Sequence, residues 1–308
     1  TGNTLGGLVG EINSTSMSQD VVISKCSNTG DITGGYHTGG LVGRIVGYAV
    51  IKDSYSNANI LSHINMNGGT YSGGIVGITG EEGIITNCYA AGTITNTSQA
   101  ASTHVSGGIL GLPVGSNDNP GQEISNCVAL QDFIAYRTAD AVRTSFRVQG
   151  HGSRNVTRTN NYAATELVMK DVETVVPVTG ATVALDGKDG ADVTLATAKT
   201  QAFYESLGWD FTNTWQINEG NAYPTLKGGL PTGFKVPQLD KNRLQVSAFN
   251  GVLTVKGLVP GEKLNVYTPL GQVVSGKTVT STETTVSLPA SGIYLVSSGN
   301  RTVKVINK

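Results

Sequence analysis

Short aliphatic runs punctuate the first half of the chain at a nearly constant interval, and each run is enclosed by glycines. The pattern Gly-Gly-aliphatic-aliphatic-Gly begins at residues 6, 39, 73 and 107, with steps of 33, 34 and 34 residues. A fixed period of this length is typical of repeat proteins in which each repeat packs only on its neighbours. The pattern therefore predicts a solenoid of ~34-residue repeats over residues 1–165.

A second set of positions recurs in phase with the glycines. Its centres are Cys26, Ser54, Cys88 and Cys127. An apolar residue stands three residues before each centre and another six residues after it, at Ile23, Ile51, Ile85 and Ile124 and at Ile32, Ile60, Ile94 and Phe133. Neighbouring strands in a sheet lie about 4.8 Å apart, so like side chains would stack. We predict that the centres form one inward column. A fifth, altered copy surrounds Tyr162, with Arg143, Phe146 and Arg147 in place of its glycine motif.

The repeats contain short β-prone runs separated by Gly, Asn, Ser and Thr, which predicts strands joined by turns. Residues 1–165 show no apolar stripe at helical spacing, which argues against helical repeats. A parallel β-helix with two or three strands per coil fits best. The isoleucine at minus three and the centre cannot both face inward on one straight strand, so we expect a turn or bulge near Asp53, Asn87 or Asn126. The glycines would permit close approach of backbones or positive φ at the corners.

The glycine motif followed by Asn87-Cys88-Tyr89 resembles the GLUG repeat of bacterial surface proteins, several of which are adhesin-like or attached to secreted proteases. The resemblance covers about residues 5–165. The chain departs from it at Ser54, which replaces the cysteine, and at Val128, which replaces the tyrosine. Neither change alters a stacked fold. The resemblance implies a cell-surface, adhesin-like protein.

Residues 166–235 break the period. Thr194 is a candidate helix N-cap, the run 195–207 has helical spacing, and Gly208 is a suitable stop. Both tryptophans follow, with Phe211, Tyr223 and Pro224 nearby. A solenoid needs its open end covered, so we interpret this stretch as a mixed capping segment and linker with one short helix. The alternative is an aromatic platform that stacks on sugar.

Residues 236–308 change to regular alternation of apolar and polar positions, interrupted by Asn-Gly, Pro-Gly and Pro-Leu-Gly turn signals. About seven short strands make an antiparallel β-sandwich the expected fold. Residues 239–308 resemble the C-terminal sorting domain of type IX secretion substrates. The resemblance is carried by Val266-Tyr267 and the stretches 270–274, 288–296 and 304–308, with Pro269 as a departure. It implies contact with secretion or anchoring machinery.

The composition is that of an extracellular β-protein. Of the 308 residues 14% are charged, Gly counts 41, and the formal net charge is −1. This balance favours neither nucleic acid nor an anionic membrane as a partner. No stretch approaches the length of a transmembrane helix. The chain opens just before a repeat motif, so we expect a leader upstream. We expect a secreted protein at the cell surface or outer membrane of a Gram-negative bacterium.

Catalysis by a β-helix requires clustered carboxylates, or a base with a metal, on one face. Asp31 and Asp132 share a column but would lie roughly 15 Å apart, too far for a glycosidase pair. The Asp186, Asp189, Asp192 series fits a turn better than a calcium loop. No histidine accompanies the cysteines, so we expect free, buried thiols rather than a metal site; a Cys88–Cys127 disulfide is the alternative.

The sequence therefore predicts a protein with no catalytic residues, no cofactor and no metal. It would bind host or neighbouring-cell glycoprotein or polysaccharide through the inter-repeat loops at about 62–72 and 95–106. Tyr71 and His104 are the exposed ligand-binding candidates. The alternative is a carbohydrate-active β-helix enzyme or its carbohydrate-binding module.

Overall fold

The computed structural model describes residues 4–14, 21–62, 69–80, 82–97, 104–114, 121–138, 143–152, 155–228, 244–249, 251–299 and 301–307. The chain divides into two compact units, Thr1–Gly229 and Leu230–Lys308. Within the described residues the fold is all-β apart from one 3-10 helix and one α-helix, both in the first unit.

The strands of the first unit follow the sequence repeat. The first repeat contains β1 (Thr4–Gly6), β2 (Val9–Asn13), β3 (Val21–Ser24), β4 (Ser27–Asn28) and β5 (Ile32–Thr33). The second contains β6 (His37–Gly39), β7 (Val42–Val46), β8 (Tyr48–Lys52), β9 (Tyr55–Ser56) and β10 (Ile60–Leu61). The third contains β11 (Tyr71–Gly73), β12 (Val76–Thr79), β13 (Glu82–Thr86) and β14 (Tyr89–Thr95). The fourth contains β15 (Val105–Gly107), β16 (Leu110–Pro113), β17 (Glu123–Ser125) and β18 (Val128–Tyr136).

The remainder of this unit is more varied. It contains β19 (Thr157–Thr159), β20 (Tyr162–Ala164), β21 (Val168–Asp171), β22 (Thr174–Val175), β23 (Ala191–Val193), a 3-10 helix (Thr197–Lys199), α1 (Gln201–Ser206), β24 (Trp215–Gln216) and β25 (Thr225–Leu226).

Equivalent strands of successive repeats pair in parallel. The sheets run β1-β6-β11-β15, β2-β7-β12-β16 and β3-β8-β13-β17-β19, and a further sheet joins β4, β5, β9, β10, β14, β18, β20, β21, β22 and β23. The register is that of the sequence repeat, since Ile51 pairs with Ile23 and Ile85, and Ile85 with Ile124. The result is the parallel, β-helix-like arrangement that the period predicts.

The turn before each column centre is built by a residue with positive φ. Lys25, Asp53, Asn87, Asn126 and Asn160 have φ between 48° and 54°. Asparagine and aspartate tolerate this left-handed conformation best among residues with a side chain. Their side chains also form a ladder, in which Asn87 donates to Asp53 at 3.1 Å and Asn126 donates to Asn87 at 3.3 Å. The expected turn at this position is confirmed, and it lets both flanking side chains face inward.

The motif glycines serve close approach rather than positive φ. A Cβ on Gly40, Gly74 or Gly108 would lie about 2 Å from a backbone carbonyl oxygen of the next repeat. None of these glycines has φ in the left-handed range. The suggestion of positive φ at these corners was therefore wrong. What the motif requires is the absence of a side chain between stacked backbones.

The column centres lie in the interior. Ser54, Cys88 and Cys127 are fully buried and Cys26, in the first repeat, is half-buried. All three cysteines are free. The thiols of Cys88 and Cys127 donate to backbone carbonyls of Thr86 and Ser125 at 3.1 and 3.2 Å. The expectation of a single inward column of free thiols is confirmed for Cys88 and Cys127.

In the fifth repeat, charged residues replace the glycine motif. Phe146 and Gln149 bridge to Gly107 and Leu110, so Arg147 occupies the place of the second motif glycine. The buried Asp189 carboxylate accepts the backbone N–H of Arg147 at 3.0 Å and two bonds from Arg143. The Asp189 carboxylate thereby accepts the hydrogen bond that a backbone carbonyl of a further repeat would accept.

Residues 195–228 lie along the side of the stack. Thr194 Oγ1 accepts the N–H of Thr197, and Gly208 has φ of 82°, as the sequence predicts for the two ends of a helix. The helix is interrupted at Thr200, whose backbone is extended. Trp209 Nε1 donates to the Asn126 carbonyl, and Tyr89 donates to the Pro224 carbonyl. The aromatic part of the capping segment thus covers the flank of several repeats instead of the open end.

The second unit consists of two antiparallel sheets. Its strands are β26 (Gln245–Phe249), β27 (Val252–Lys256), β28 (Lys263–Tyr267), β29 (Val273–Thr278), β30 (Glu283–Ser287), β31 (Gly292–Ser298) and β32 (Arg301–Asn307). They form the sheets β26-β27-β30 and β29-β28-β31-β32. Leu253 and Val255 from one sheet and Val266 and Val296 from the other share one buried core.

Candidate functional site

The first candidate residue, Tyr71, opens β11 on the outer face of the sheet β1-β6-β11-β15. Its register partner in the preceding repeat is His37. The two rings stack with centroids 5.7 Å apart and an interplanar angle of 11°. Both side chains are half-buried, whereas the residues that follow them, Thr38 and Ser72, are fully buried and face inward. Two adjacent repeats therefore present a pair of partly exposed stacked rings.

The surroundings of His37 keep its imidazole neutral near pH 7. Burial lowers the pKa of His37, and the positive charge of Arg44 lowers it further, while Glu11 opposes the shift. Arg44 and Glu11 form an exposed ion pair at 3.5 Å. The Thr4 hydroxyl lies 3.3 Å from His37 Nδ1, which extends the same outward column by one repeat. The outer face thus combines aromatic rings with hydrogen-bonding groups.

The second candidate residue, His104, is fully buried, and the expectation that it is exposed was wrong. It occupies the position of Thr70 one repeat later. The Thr70 N–H donates to His104 Nδ1 at 3.2 Å, and the Thr70 hydroxyl lies 2.6 Å from the same atom. A residue directly before the first strand of a repeat turns into the interior at this corner. His104 therefore supports a loop stem from within.

A buried polar network connects the stems of the inter-repeat loops. Asn96 Nδ2 donates to the Thr70 carbonyl at 3.1 Å and to the Ser106 hydroxyl at 3.1 Å. Ser62 and Ser72 share a hydroxyl–hydroxyl bond of 2.6 Å. Such satisfied internal networks fix the geometry of the chain they connect. Sequence reasoning missed this network, although a small hydroxyl residue precedes each motif from the second repeat on, at Thr38, Ser72, Ser106 and Ser145.

The loops themselves lie partly outside the described residues. Of the stretches predicted to contact ligand, residues 63–68 and 98–103 fall outside, and the stems at 62, 69–72, 95–97 and 104–106 are described. Tyr71 and His104 are brought to the same corner of successive repeats, one on the outer face and one inside.

Asp31, one of the two aspartates weighed for catalysis, has a structural role. Asp31 accepts hydrogen bonds from the backbone and side chain of Asn59 at 3.2 and 3.0 Å. Asp189 is buried and accepts hydrogen bonds from Arg143 and Thr182. Asp192 pairs with Arg147, and Asp186 lies in an exposed turn. The calcium-like series is therefore divided between salt bridges and a turn. Among the described residues no group of three or more His, Cys, Asp or Glu side chains is placed to hold a metal ion.

The aromatic cluster of the capping segment is internal. Trp215 is fully buried and Trp209 is 3% exposed. Their rings pack on Tyr55 and Tyr89, which stack on each other at 4.9 Å with an interplanar angle of 2°. Burial raises the pKa of Tyr89 well above its ordinary value. These tryptophans cannot serve as a sugar-stacking platform, and the alternative interpretation of this segment was wrong.

Comparison with known proteins identifies two parts of the chain. Residues 34–61 and 68–95 match the GLUG motif, and residues 235–307 match a domain of unknown function, DUF6383. No curated protein matches the chain. The structure is similar to that of a candidate immunoglobulin A1 protease from Bacteroides ovatus, with a TM-score of 0.51 and 25% sequence identity. The match covers 71% of this chain and 60% of the other, so it spans less than two thirds of that protein.

The two GLUG matches contain the stacked pair. His37 lies in the first matched stretch and Tyr71 in the second. The rings thus occupy the same register position of two consecutive GLUG repeats, while Val105 occupies it in the next repeat.

In the part of the chain that the structure describes, no helix is long and apolar enough to cross a membrane.

Proposed function

We propose that this chain is a non-enzymatic, adhesin-like protein of the surface of a Gram-negative bacterium. Its repeats form a β-solenoid that binds extracellular glycoprotein or polysaccharide. The observation that carries the proposal is the pair of partly exposed, stacked rings of His37 and Tyr71 at the stems of the inter-repeat loops.

The physical basis is that different positions of each repeat serve packing and ligand contact. Inward positions and the glycine motif serve packing, and the outer face is left for contact. An aromatic ring with a polar tip supplies a large contact area at low conformational cost, and glycans and proteins both bind such rings. A single shallow site of this kind binds weakly, so many copies on a cell would supply the strength through avidity.

The similarity to the candidate immunoglobulin A1 protease suggests which ligand to test first. The name of that Bacteroides ovatus protein points to an immunoglobulin, a host extracellular protein. Immunoglobulin A1 is therefore the first ligand to test. The second candidate function is that of an enzyme. The enzyme would be a protease, or a carbohydrate-active enzyme that has this chain as its binding module.

The experiment measures binding of the purified chain to immobilised immunoglobulin A1, matrix glycoproteins and a glycan array. We expect Tyr71→Ala to weaken binding about tenfold, since truncating an anchoring aromatic costs about 1–2 kcal/mol. Tyr48→Ala is the matched control, because Tyr48 is a half-buried tyrosine on another sheet of the same stack. Equal affinities of both variants and the parent chain would remove the ring pair from the binding site.

The enzyme alternative has a separate readout. The same ligands are incubated with the chain, and cleavage products are sought by mass spectrometry. Turnover that is lost on replacing one or two carboxylates would establish the alternative. Binding without product supports the adhesin-like function.

For the second unit we propose a role in export or anchoring, on the basis of its resemblance to sorting domains. The unit has its own core, so a chain ending at Gly229 should fold and bind ligand as the full chain does. In the native host this truncated chain should no longer reach the cell surface. Normal surface display of the truncated chain would refute the sorting role.

A further inference from the structure

Three basic side chains come together beside β19 in the fifth repeat. Arg158 lies in β19, the end strand of its sheet, where its register partner is the fully buried Ile124. The column of inward isoleucines therefore continues into a charged residue. Lys188 lies in a bend that follows the repeats, and the exposed His151 lies before β19. Packing of the repeats does not require any of these three charges.

The polar contacts of this basic cluster leave hydrogen-bond donors available. Lys188 Nζ lies 3.2 Å from His151 Nδ1. An ammonium group can only donate, so Nδ1 accepts and the proton of the neutral imidazole is on Nε2. Arg158 donates from Nε to the Asp186 carbonyl at 2.7 Å and from Nη1 to the Gln149 side chain at 2.9 Å. Among the described residues Arg158 Nη2 has no partner, so the groups left over are all donors.

The basic groups repel one another. Burial lowers the pKa of Lys188, and the positive charge of Arg158 lowers it further. Burial likewise lowers the pKa of His151, with Lys188 as the second cause. The exposed Asp186 acts against this repulsion, since its charge raises the pKa of Arg158. The charges of Lys188, Arg158 and Asp186 sum to +1, which favours an anion at the cluster.

The ring of Phe146 supports the lysine of the cluster. Lys188 Nζ lies 5.3 Å from the ring centroid, in the range of a cation–π contact. Arg143 contacts the same ring at 4.5 Å, but its charge is paired with the Asp189 carboxylate at 2.7 Å. Contact with the ring and with His151 restricts the lysine chain, so less conformational entropy is lost when an anion binds.

We infer that Lys188, Arg158 and His151 bind one sulfate or phosphate group. Such a group offers several acceptor oxygens, which suits a cluster whose remaining polar groups all donate. A guanidinium and an ammonium are the side-chain groups that proteins use most for these anions. An extracellular ligand that carries a sulfate or phosphate ester would supply the group. The inference goes beyond the proposed function and does not involve the ring pair.

The test removes single charges from the cluster. Lys188→Gln removes the central ammonium and leaves the backbone contacts of that residue in place. Lys170→Gln is the matched control, because Lys170 is also half-buried and its ammonium lies 4.7 Å from the Phe133 ring centroid. His151→Ala is a second variant at an exposed position. Asp186→Asn removes the opposing negative charge and should strengthen binding.

Calorimetric titration at low ionic strength uses sulfate, phosphate, a monosaccharide sulfate, a monosaccharide phosphate and the unsubstituted sugar as probes. We expect both inorganic anions and both esters to bind in the millimolar range. The affinity should fall about tenfold in Lys188→Gln and severalfold in His151→Ala, and should not change in Lys170→Gln.

The inference is overturned if neither sulfate nor phosphate binds, if the unsubstituted sugar binds as well, or if Lys188→Gln and Lys170→Gln have equal affinities. Asp186→Asn with weaker binding than the parent chain would also contradict it. Tyr71→Ala should leave sulfate binding unchanged, which separates the basic cluster from the ring pair on the outer face.

Discussion

Replacing Gly74 with alanine tests whether the glycine motif exists to let stacked backbones approach. A Cβ at this position would lie 2.0 Å from the Gly108 carbonyl oxygen and 2.6 Å from the Ala90 Cβ. The first of these atoms is backbone and cannot rotate away. At the equivalent place in the last repeat stands Arg147, where the carbonyl of a further repeat is replaced by the Asp189 carboxylate.

The cost follows from the hydrogen bonds that the substitution disturbs. Ordinary contact begins near 3.4 Å, so the two backbones must separate by more than an ångström. The bonds from Ile75 N and Val76 N to the Ile109 carbonyl, each 3.0 Å long, lie beside the clash. Leaving a buried backbone donor unsatisfied costs about 1–3 kcal/mol, so losing both gives roughly 2–6 kcal/mol. We expect Gly74→Ala to lower the free energy of unfolding by about 4 kcal/mol.

Urea unfolding followed by tryptophan fluorescence measures this effect, because both tryptophans are buried in the first unit. Gly30→Ala is the matched control, since the nearest atom to its new Cβ would be Asn28 Oδ1 at 3.5 Å and its φ is not positive. The control should change stability by less than about 0.5 kcal/mol. If both variants unfold at the same urea concentration, close approach is not what the motif glycine provides.

Asp189→Asn should destabilise the first unit by about 3–5 kcal/mol, because it removes the buried carboxylate charge that pairs with Arg143 and accepts the Arg147 N–H; urea unfolding with Asp186→Asn as control checks this, and equal stability of the two variants would contradict it. The folded-state pKa of His37 is lowered, so the unfolded state binds more protons. Its contribution to stability is therefore present above about pH 6.5 and is lost as the pH falls through the folded pKa. Melting temperatures between pH 5 and 8 should fall less steeply on acidification for His37→Asn, and an identical slope would refute this. A thiol reagent should label Cys26 first in the native protein, because Cys26 is half-buried and burial raises the pKa of Cys88; a Cys26→Ser variant that retains the fast phase would oppose it.

The sequence by itself determined the repeating part of the fold. The period, the inward column at Cys88 and Cys127 and the turn at Asn87 all follow from residues that recur in phase. Stacked repeats place equivalent residues in equivalent environments. The residue types that one repeat needs therefore recur several times along the chain. The same redundancy makes the small hydroxyl residue that precedes the motif position from the second repeat on a readable signal for the buried network under the loops.

The tertiary structure alone decided the features that occur once. Trp209 reaches the Asn126 carbonyl, 83 residues away in sequence, and this contact turns an apparent aromatic platform into buried packing. The burial of His104 follows from the corner geometry of its own repeat. The charged contact between Arg147 and Asp189 depends on where the chain after the last repeat folds back. Such contacts join segments with no shared period, so no local pattern records them, and only the packed fold brings their side chains together.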